Sequence, residues 1–126
     1  PTCLEQLAGH QMVEYVSSAS GKRFGLEFLL GSELHPINLP KVVAVNSSAG
    51  YFAACEAGYG LIQAPRYHAL RQLADGALVQ VLPDVAVPKM ALTALYPPHR
   101  QLSQRVRVFV DWLVQLCARP GTGLQG

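Results

Sequence analysis

The segment VAVNSSAGYFAACEAGYGLI, which runs from Val43 to Ile62, passes from an apolar run into a run of small residues. The composition of residues 41–45 predicts a strand, and that of residues 48–57 predicts the helix that follows it. Two serines lie at the junction, where a hydroxyl can accept a hydrogen bond from a free N–H group of the first helical turn. The segment therefore predicts a strand-to-helix unit of an α/β fold, with polar side chains where the strand ends.

The same criteria, applied outward from this segment, predict further strands and helices. The predicted strands are residues 12–16, 26–30, 41–45, 60–64, 77–82 and 90–96, and the predicted helices are residues 48–57, 67–75 and 103–118. Residues 31–40, which contain Gly31, Pro36 and Pro40, predict a turn or an irregular connection. Because strands joined through helices favour parallel pairing, the alternation between residues 41 and 82 predicts a parallel sheet with helices on its faces.

Composition and charge indicate one domain and exclude several functions. The chain has 126 residues, 50% of them hydrophobic, which is enough for one core and too little for two. Ten basic residues and eight acidic ones are scattered along the chain, so no basic stripe could follow a nucleic-acid backbone. No apolar run reaches the roughly 20 residues that span a bilayer, and the first residues lack the pattern of an export signal. We therefore predict no binding of this chain itself to nucleic acid or membrane.

The cysteines and histidines show no pattern of a disulfide or metal site. Cys3, Cys55 and Cys117 are far apart, lack the CxxC spacing and are odd in number. This argues against a disulfide framework and predicts a cytoplasmic location. The four histidines are equally dispersed, and no two of them have the spacing that places both on one helix face. We predict no metal site.

The glycines of Gly58-Tyr59-Gly60 raise the possibility of a bound dinucleotide. The pair matches the first half of the dinucleotide-binding motif, but Gln63 replaces the next glycine, and the pair follows a predicted helix where the motif should precede one. Gly58 instead fits the end of a helix, where a residue with positive φ is needed. We predict no cofactor.

Ser48, Asp84 and His99 occur in the chain order of an α/β-hydrolase triad. The nucleophile motif requires a glycine two residues before the serine, where this chain has Asn46. A triad is defined by its geometry and not by its order in the chain. We therefore predict that the chain is not an enzyme and has no catalytic residue.

The start of the predicted helix at residue 48 leaves two interpretations open. Asn46, Ser47 and Ser48 place hydroxyl, amide and backbone N–H groups at the positive end of a helix dipole, which suits a carboxylate or another anion. Alternatively, one serine only caps the helix and contributes about 1 kcal/mol to its stability. The local sequence by itself favours capping.

The C-terminal part of the chain predicts a long helix capped by Ser103, followed by a flexible tail over residues 119–126. Apolar residues recur at helical spacing and form a stripe along one face, and further apolar residues widen this stripe. We therefore expect the helix to be covered on more than one side. The recurring residues are Val106, Phe109, Val110, Leu113 and Cys117, and the widening residues are Val108, Trp112 and Leu116.

Four segments of the chain together resemble the effector-binding domain of LysR-type transcriptional regulators. They are VNSSA from Val45, AACEAGYGLIQAP from Ala53 to Pro65, LADGALVQVLPD from Leu73 to Asp84, and LYPPHRQLSQRVRVFVDWL from Leu95 to Leu113. The resemblance covers nearly the whole chain. It implies a periplasmic-binding-protein-like α/β fold, in which two lobes joined by crossover strands hold a small molecule, often a carboxylate, between them.

The resemblance also implies a domain organisation. Residues 1–88 would form the second lobe, residues 89–118 would supply the crossover strand and closing helix of the first lobe, and residues 119–126 would be the tail. The winged helix-turn-helix, the linker helix and the rest of the first lobe would precede Pro1, so we expect a C-terminal fragment of a regulator. DNA would then be bound only through the missing part, and the regulator would be a homo-oligomer.

The family's cleft implies which residues contact the effector. Asn46, Ser47 and Ser48 match the helix start that faces the ligand, with Ser17, Ser18 and Tyr96 as further candidates. The alternative function is that of an exported solute-binding protein with the same two-lobed fold. The free cysteines favour the regulator over that alternative.

Overall fold

The computed structural model describes residues 1–90, 93, 95 and 103–119. Within them, a short 3-10 helix, Leu4–Leu7, is followed by strands β1 (Met12–Val16), β2 (Arg23–Phe24), β3 (Leu26–Leu30), β4 (Glu33–Ile37) and β5 (Lys41–Val45), and by helices α1 (Ser48–Glu56), α2 (Arg66–Ala74) and α3 (Gln104–Cys117). The chain divides into two compact units. The first contains residues 1–64 and 71–88, and the second contains residues 65–70 and the residues from 89 onward.

The central strand of the first sheet is β1, whose valines and tyrosine favour extended backbone. It lies between β2, which is antiparallel to it, and β5, which is parallel to it. In the parallel pair, Val13 is opposite Val43 and Tyr15 is opposite Val45. The predicted strands at residues 12–16 and 41–45 are confirmed. Their parallel pairing with each other was not predicted, because the parallel sheet was expected among the strands between residues 41 and 82.

Helix α1 follows β5 directly and begins and ends as the sequence predicts. Ser47 is its N-cap, and its side chain accepts a hydrogen bond from the backbone N–H of Gly50 at 3.2 Å. At the other end Gly58 has a φ of 81°, and its N–H donates to the carbonyl oxygen of Cys55, while Tyr59 donates to that of Ala54. These two hydrogen bonds define a Schellman motif, so Gly58 ends the helix as predicted.

Residues 31–40 differ from the prediction, because they contain a strand. Strand β4 pairs antiparallel with β3, and Gly31, with a φ of 66°, occupies the first position of the two-residue turn that joins them. Pro36 lies in β4, opposite Glu27. Since proline cannot donate a ladder hydrogen bond, it is tolerated at the edge of a sheet, and β4 is an edge strand of this two-stranded sheet.

The predictions of strands at residues 60–64 and 77–82 are wrong. In the first segment only Leu61 pairs, through a single parallel bridge to Met12. The backbone N–H of Gln63 donates to the hydroxyl of Tyr51 at 3.1 Å, and it is therefore not available to a strand. In the second segment the N–H of Leu82 donates to the carbonyl oxygen of Pro1, and Leu82 has a φ of 52°, which is incompatible with a strand. The expected continuous alternation of strands and helices is therefore incomplete.

The core of the first unit joins residues of both sheets and of the neighbouring loops. Its buried residues are Leu7, Met12, Leu26, Phe28 and Leu82, with Leu4, Ile37, Leu39, Leu61, Val81 and Val85 packed around them. Tyr51 and Phe52 of α1 are also buried. Burial of this apolar surface is the main favourable contribution to the free energy of folding, and it stabilises the position of β1.

Helices α2 and α3 lie within one residue of the predicted boundaries. Ser103 caps α3, and its hydroxyl accepts a hydrogen bond from the N–H of Val106 at 3.4 Å. Several large apolar side chains of α3 are exposed in the chain, namely Val106, Val108, Phe109, Trp112 and Val114. The predicted strand at 90–96 lies mostly outside the described residues, and so does the predicted tail except for Arg119.

Candidate functional site

Serine side chains follow both parallel strands at the same edge of the sheet, and an asparagine lies with them after β5. Because Tyr15 is opposite Val45, the residues after β1 and after β5 lie side by side. Three predicted effector residues follow β5, and two follow β1. We call the set the polar edge; it consists of Ser17, Ser18, Asn46, Ser47 and Ser48.

The helix start at the polar edge presents donors to solvent. The first N–H groups of a helix have no intrahelical acceptor, and the Ser47 hydroxyl satisfies only that of Gly50. This leaves the N–H groups of Ser48 and Ala49 at the positive end of the dipole. Asn46, Ser47 and Ser48 are all exposed. Ser47 thus serves as a cap, while Ser48 is the first helical residue and makes no side-chain hydrogen bond within the described residues.

The other strand contributes a tight loop to the polar edge. The N–H of Ser17 donates to the carbonyl oxygen of Lys22 at 2.9 Å, and the N–H of Gly21 donates to that of Ser17 at 2.7 Å. The Ser17 hydroxyl also accepts from the N–H of Ser20 at 3.3 Å. Ser17 therefore stabilises the loop, whereas Ser18 is exposed at its tip.

An aromatic cluster lies next to the polar edge, and the sequence analysis missed it. The Tyr15 ring is 5.5 Å from that of Tyr51 and 6.3 Å from that of Phe24, between ring centroids. Lys22 places its ammonium group 5.1 Å from the centre of the Phe24 ring. Burial raises the pKa of Tyr51, whose hydroxyl accepts a hydrogen bond from Gln63. A serine- and glycine-rich turn followed by Arg-Phe is typical of a hairpin, and this signal could have predicted β2.

Glu14 is a buried carboxylate at the centre of the first sheet. Its side chain is only 4% exposed and pairs with Arg23 of β2 and, at 2.7 Å, with Lys41 of β5. The hydrogen bond from Lys41, followed by the effects of Arg23, lowers the pKa of the Glu14 carboxyl from its ordinary value of 4.5, against the opposing effect of burial. The ion pairs therefore connect β1 to both of its neighbours.

The lowered pKa of Glu14 predicts how stability depends on pH. A carboxyl whose pKa is lower in the folded state stabilises the fold above its unfolded pKa, and this contribution is lost as the pH falls through the folded value. We expect Glu14→Gln to reduce the free energy of unfolding at neutral pH and to flatten its decline below pH 4.5. Urea unfolding at a series of pH values measures both effects.

Glu33→Gln is the matched control for this experiment. The Glu33 side chain is exposed and its carboxylate lies 3.7 Å from the His35 ring nitrogen. Removing this charge should therefore change the free energy of unfolding very little. If Glu14→Gln had the same pH profile as the unsubstituted chain, the ion pairs of Glu14 would have no role in stability.

The structure does not describe every residue that the sequence analysis singled out. Tyr96 and His99 lie outside the described residues. Among the residues that the structure describes, no group of three His, Cys, Asp or Glu side chains could hold a metal ion. In the same part of the chain, no helix combines the length and apolar character needed to cross a membrane.

Comparison with known proteins identifies the family. The family model described as LysR substrate binding domain matches residues 1–118. The chain is 33% identical over 113 residues to the uncharacterized HTH-type transcriptional regulator YhjC of Escherichia coli, which covers 90% of this chain and 38% of that protein. It is 34% identical over 73 residues to the HTH-type transcriptional regulator PtxR of Pseudomonas aeruginosa, covering 58% of this chain and 23% of that protein.

A third relative is matched over a similar length at lower identity. The HTH-type transcriptional regulator CrgA of Neisseria meningitidis is 24% identical over 116 residues, which cover 91% of this chain and 38% of that protein. The chain thus spans well under half the length of these relatives. The mixed α/β structure agrees with the family match, and the chain belongs to the LysR substrate-binding domain family.

Proposed function

We propose that this chain is the ligand-sensing part of a LysR-type transcriptional regulator and that its effector binds at the polar edge. The observation that carries the proposal is the parallel pairing of β1 and β5, which brings two separate groups of candidate residues to one edge. In open sheets with parallel strands, ligands bind outside the carboxyl ends of the strands. The relatives described above are transcriptional regulators by name, which supports the regulator over the exported solute-binding protein.

The chemistry of the polar edge favours a small anion, and we propose a carboxylate. Hydroxyl groups and free backbone N–H groups at a helix start stabilise negative charge. Lys22, in the loop after β1, carries a positive charge, and its ammonium group lies against the Phe24 ring of the aromatic cluster. Ser48 and Ser18, which are exposed, would contact the carboxylate directly, while Ser47 would hold the helix start in place.

The architecture of the complete regulator is part of the same proposal. Residues 1–88 would form the second lobe, and residues 89–118 would supply the crossover strand and closing helix of the first lobe. Tyr96 would lie near the crossover. The effector would favour one relative orientation of the lobes by its differential affinity, and a homo-oligomer in the cytoplasm would transmit this change to DNA-binding domains outside this chain.

Two serine substitutions separate binding from capping. We expect Ser48→Ala to leave the free energy of unfolding within about 0.5 kcal/mol, because the side chain is exposed and is not the cap. It should weaken effector binding by roughly 10- to 100-fold, the effect of losing one hydrogen bond to a charged group. Ser47→Ala should weaken binding and also lower stability by about 1 kcal/mol. A thermal-shift screen of small carboxylates with the regulator that carries this domain identifies the effector, and calorimetry then measures affinity.

Ser103→Ala provides the control for capping by itself. Ser103 caps α3 in the same way that Ser47 caps α1, and it is not a candidate binding residue. Ser103→Ala should lower the free energy of unfolding without weakening the affinity for the effector. If Ser48→Ala bound the effector as tightly as the unsubstituted regulator, the serines would be structural only and the polar edge would not be the effector site.

A further inference from the structure

A concave site lies at the opposite end of β1 from the polar edge. It is open to solvent and has a volume of about 390 Å³, a size that a small ring system can occupy. All of its lining residues belong to the first unit. We call it the glycine cavity; its lining consists of Gly9, His10, Gln11, Cys55, Gly58, Gly60, Leu61, Ala77, Leu78, Val79 and Val81.

The lining of the glycine cavity contains no lysine, arginine, aspartate or glutamate. Leu61, Leu78 and Val79 supply apolar surface, and the Val79 side chain is 78% exposed at the rim. Burial, followed by the nearby Glu56 carboxylate, raises the pKa of the Cys55 thiol, which therefore stays neutral. None of these side chains carries a permanent charge, so a charged ligand would find no fixed counter-ion here, whereas an uncharged apolar one would gain from burial.

The backbone gives the glycine cavity both its space and its polarity. Gly9 and Gly58 have φ values of 89° and 81°, and a Cβ atom added to either would meet no heavy atom within 4 Å. The wall is therefore bare backbone at two points. Helix α1 ends at the cavity, and the last turn of a helix carries partial negative charge, which favours a hydrogen-bond donor.

We propose that the glycine cavity is a second ligand site, separate from the polar edge, that binds an uncharged aromatic molecule carrying an N–H or O–H donor. The volume suits a small ring system, and the apolar side chains of the lining would pack against it. The donor would point toward the end of α1 or toward His10. The polar edge has the opposite preference, because a helix start favours an anion.

Three probes of similar shape test this ligand class on the unsubstituted chain. Indole is uncharged and has an N–H donor, benzothiophene lacks the donor, and indole-2-carboxylate carries a negative charge. We expect indole to bind with a dissociation constant on the order of 1 mM and to shift the NMR amide signals of Gly58, Gly60 and Leu78, but not that of Gly31. Benzothiophene should bind roughly two- to tenfold more weakly, because it loses one hydrogen bond. Indole-2-carboxylate should leave these signals unchanged.

A substitution at the rim locates the binding. Val79→Asp replaces apolar surface at the rim with a hydrated charged side chain and should weaken indole binding roughly two- to tenfold, the effect of losing that apolar contact. Val87→Asp is the matched control, because Val87 is 49% exposed and does not line the cavity. Indole that fails to shift the three signals, or equal binding of all three probes, would overturn the proposal. So would unchanged indole affinity in Val79→Asp.

Discussion

Gly60→Ala is expected to lower the free energy of unfolding by about 2–4 kcal/mol, because both the backbone conformation and the space around Gly60 exclude a side chain. Its φ is 142°, a value that residues with a Cβ rarely adopt. A Cβ atom would lie 2.6 Å from the carbonyl oxygen of Gln11 and 2.9 Å from the Cα atom of Met12. Both of these neighbours are backbone atoms, so no rotation of a side chain can relieve the clash.

The backbone around Gly60 cannot move without breaking a connection to β1. Leu61 donates to the carbonyl oxygen of Gln11 at 2.8 Å and accepts from the N–H of Val13 at 3.0 Å. A shift that made room for the Cβ would lengthen both hydrogen bonds, each of which contributes about 1 kcal/mol. Urea unfolding of the variant and of the unsubstituted chain measures the difference.

Gly58→Ala separates the two causes. Gly58 also has a positive φ, but a Cβ atom there would meet no heavy atom within 4 Å. Its substitution should therefore reveal only the conformational cost, about 1–2 kcal/mol. If the two alanine variants lost the same stability, the close approach of Gly60 to Gln11 would make no contribution.

The two glycines show how far local sequence predicts this fold. The end of α1 at Gly58 follows from residue types within one turn, and so does the cap at Ser47, because both involve neighbours in the chain. The requirement for glycine at position 60 depends on Gln11, nearly fifty positions away. The sequence predicted a strand at 60–64 because the apolar pattern there suits one, but the Tyr51 hydroxyl takes the N–H of Gln63.

The Gln63 side chain makes a further contact that no pattern indicates. Its amide accepts from the N–H of Glu27 at 2.8 Å and donates to the carbonyl oxygen of Glu27 at 2.7 Å. These two bonds take the place of a strand along the edge of β3. Since they join residues 36 positions apart, they depend on tertiary structure and not on propensity.

The sequence indicated the polar residues of the candidate site but not the aromatic cluster beside them. The serines of the polar edge were recognisable because hydroxyls at a helix start have a known role. Tyr15 and Phe24 resemble ordinary core residues in the sequence, and only the antiparallel pairing of β1 with β2 brings them together. The ion pairs of Glu14 were missed for the same reason, because Arg23 and Lys41 reach it from two different strands.

Met12→Ala is expected to lower the free energy of unfolding by about 2–5 kcal/mol, the effect of removing a fully buried side chain and leaving a cavity. Met12 has no exposed surface and belongs to the core cluster with Leu26, Phe28 and Leu82. Its own backbone bonds are unaffected by the substitution, including the one from its N–H to the carbonyl oxygen of Pro40. The loss therefore reports side-chain packing, and urea unfolding measures it.

Two further variants test that explanation. Met12→Leu preserves most of the volume and should lose less than about 1.5 kcal/mol. Met90→Ala removes the same atoms from a side chain that is 69% exposed, and it should change stability by no more than about 0.5 kcal/mol. A small loss in Met12→Ala, similar to that in Met90→Ala, would contradict the placement of Met12 in the core. That result would also remove the support for β1 as the central strand, since its buried face would contribute no packing energy.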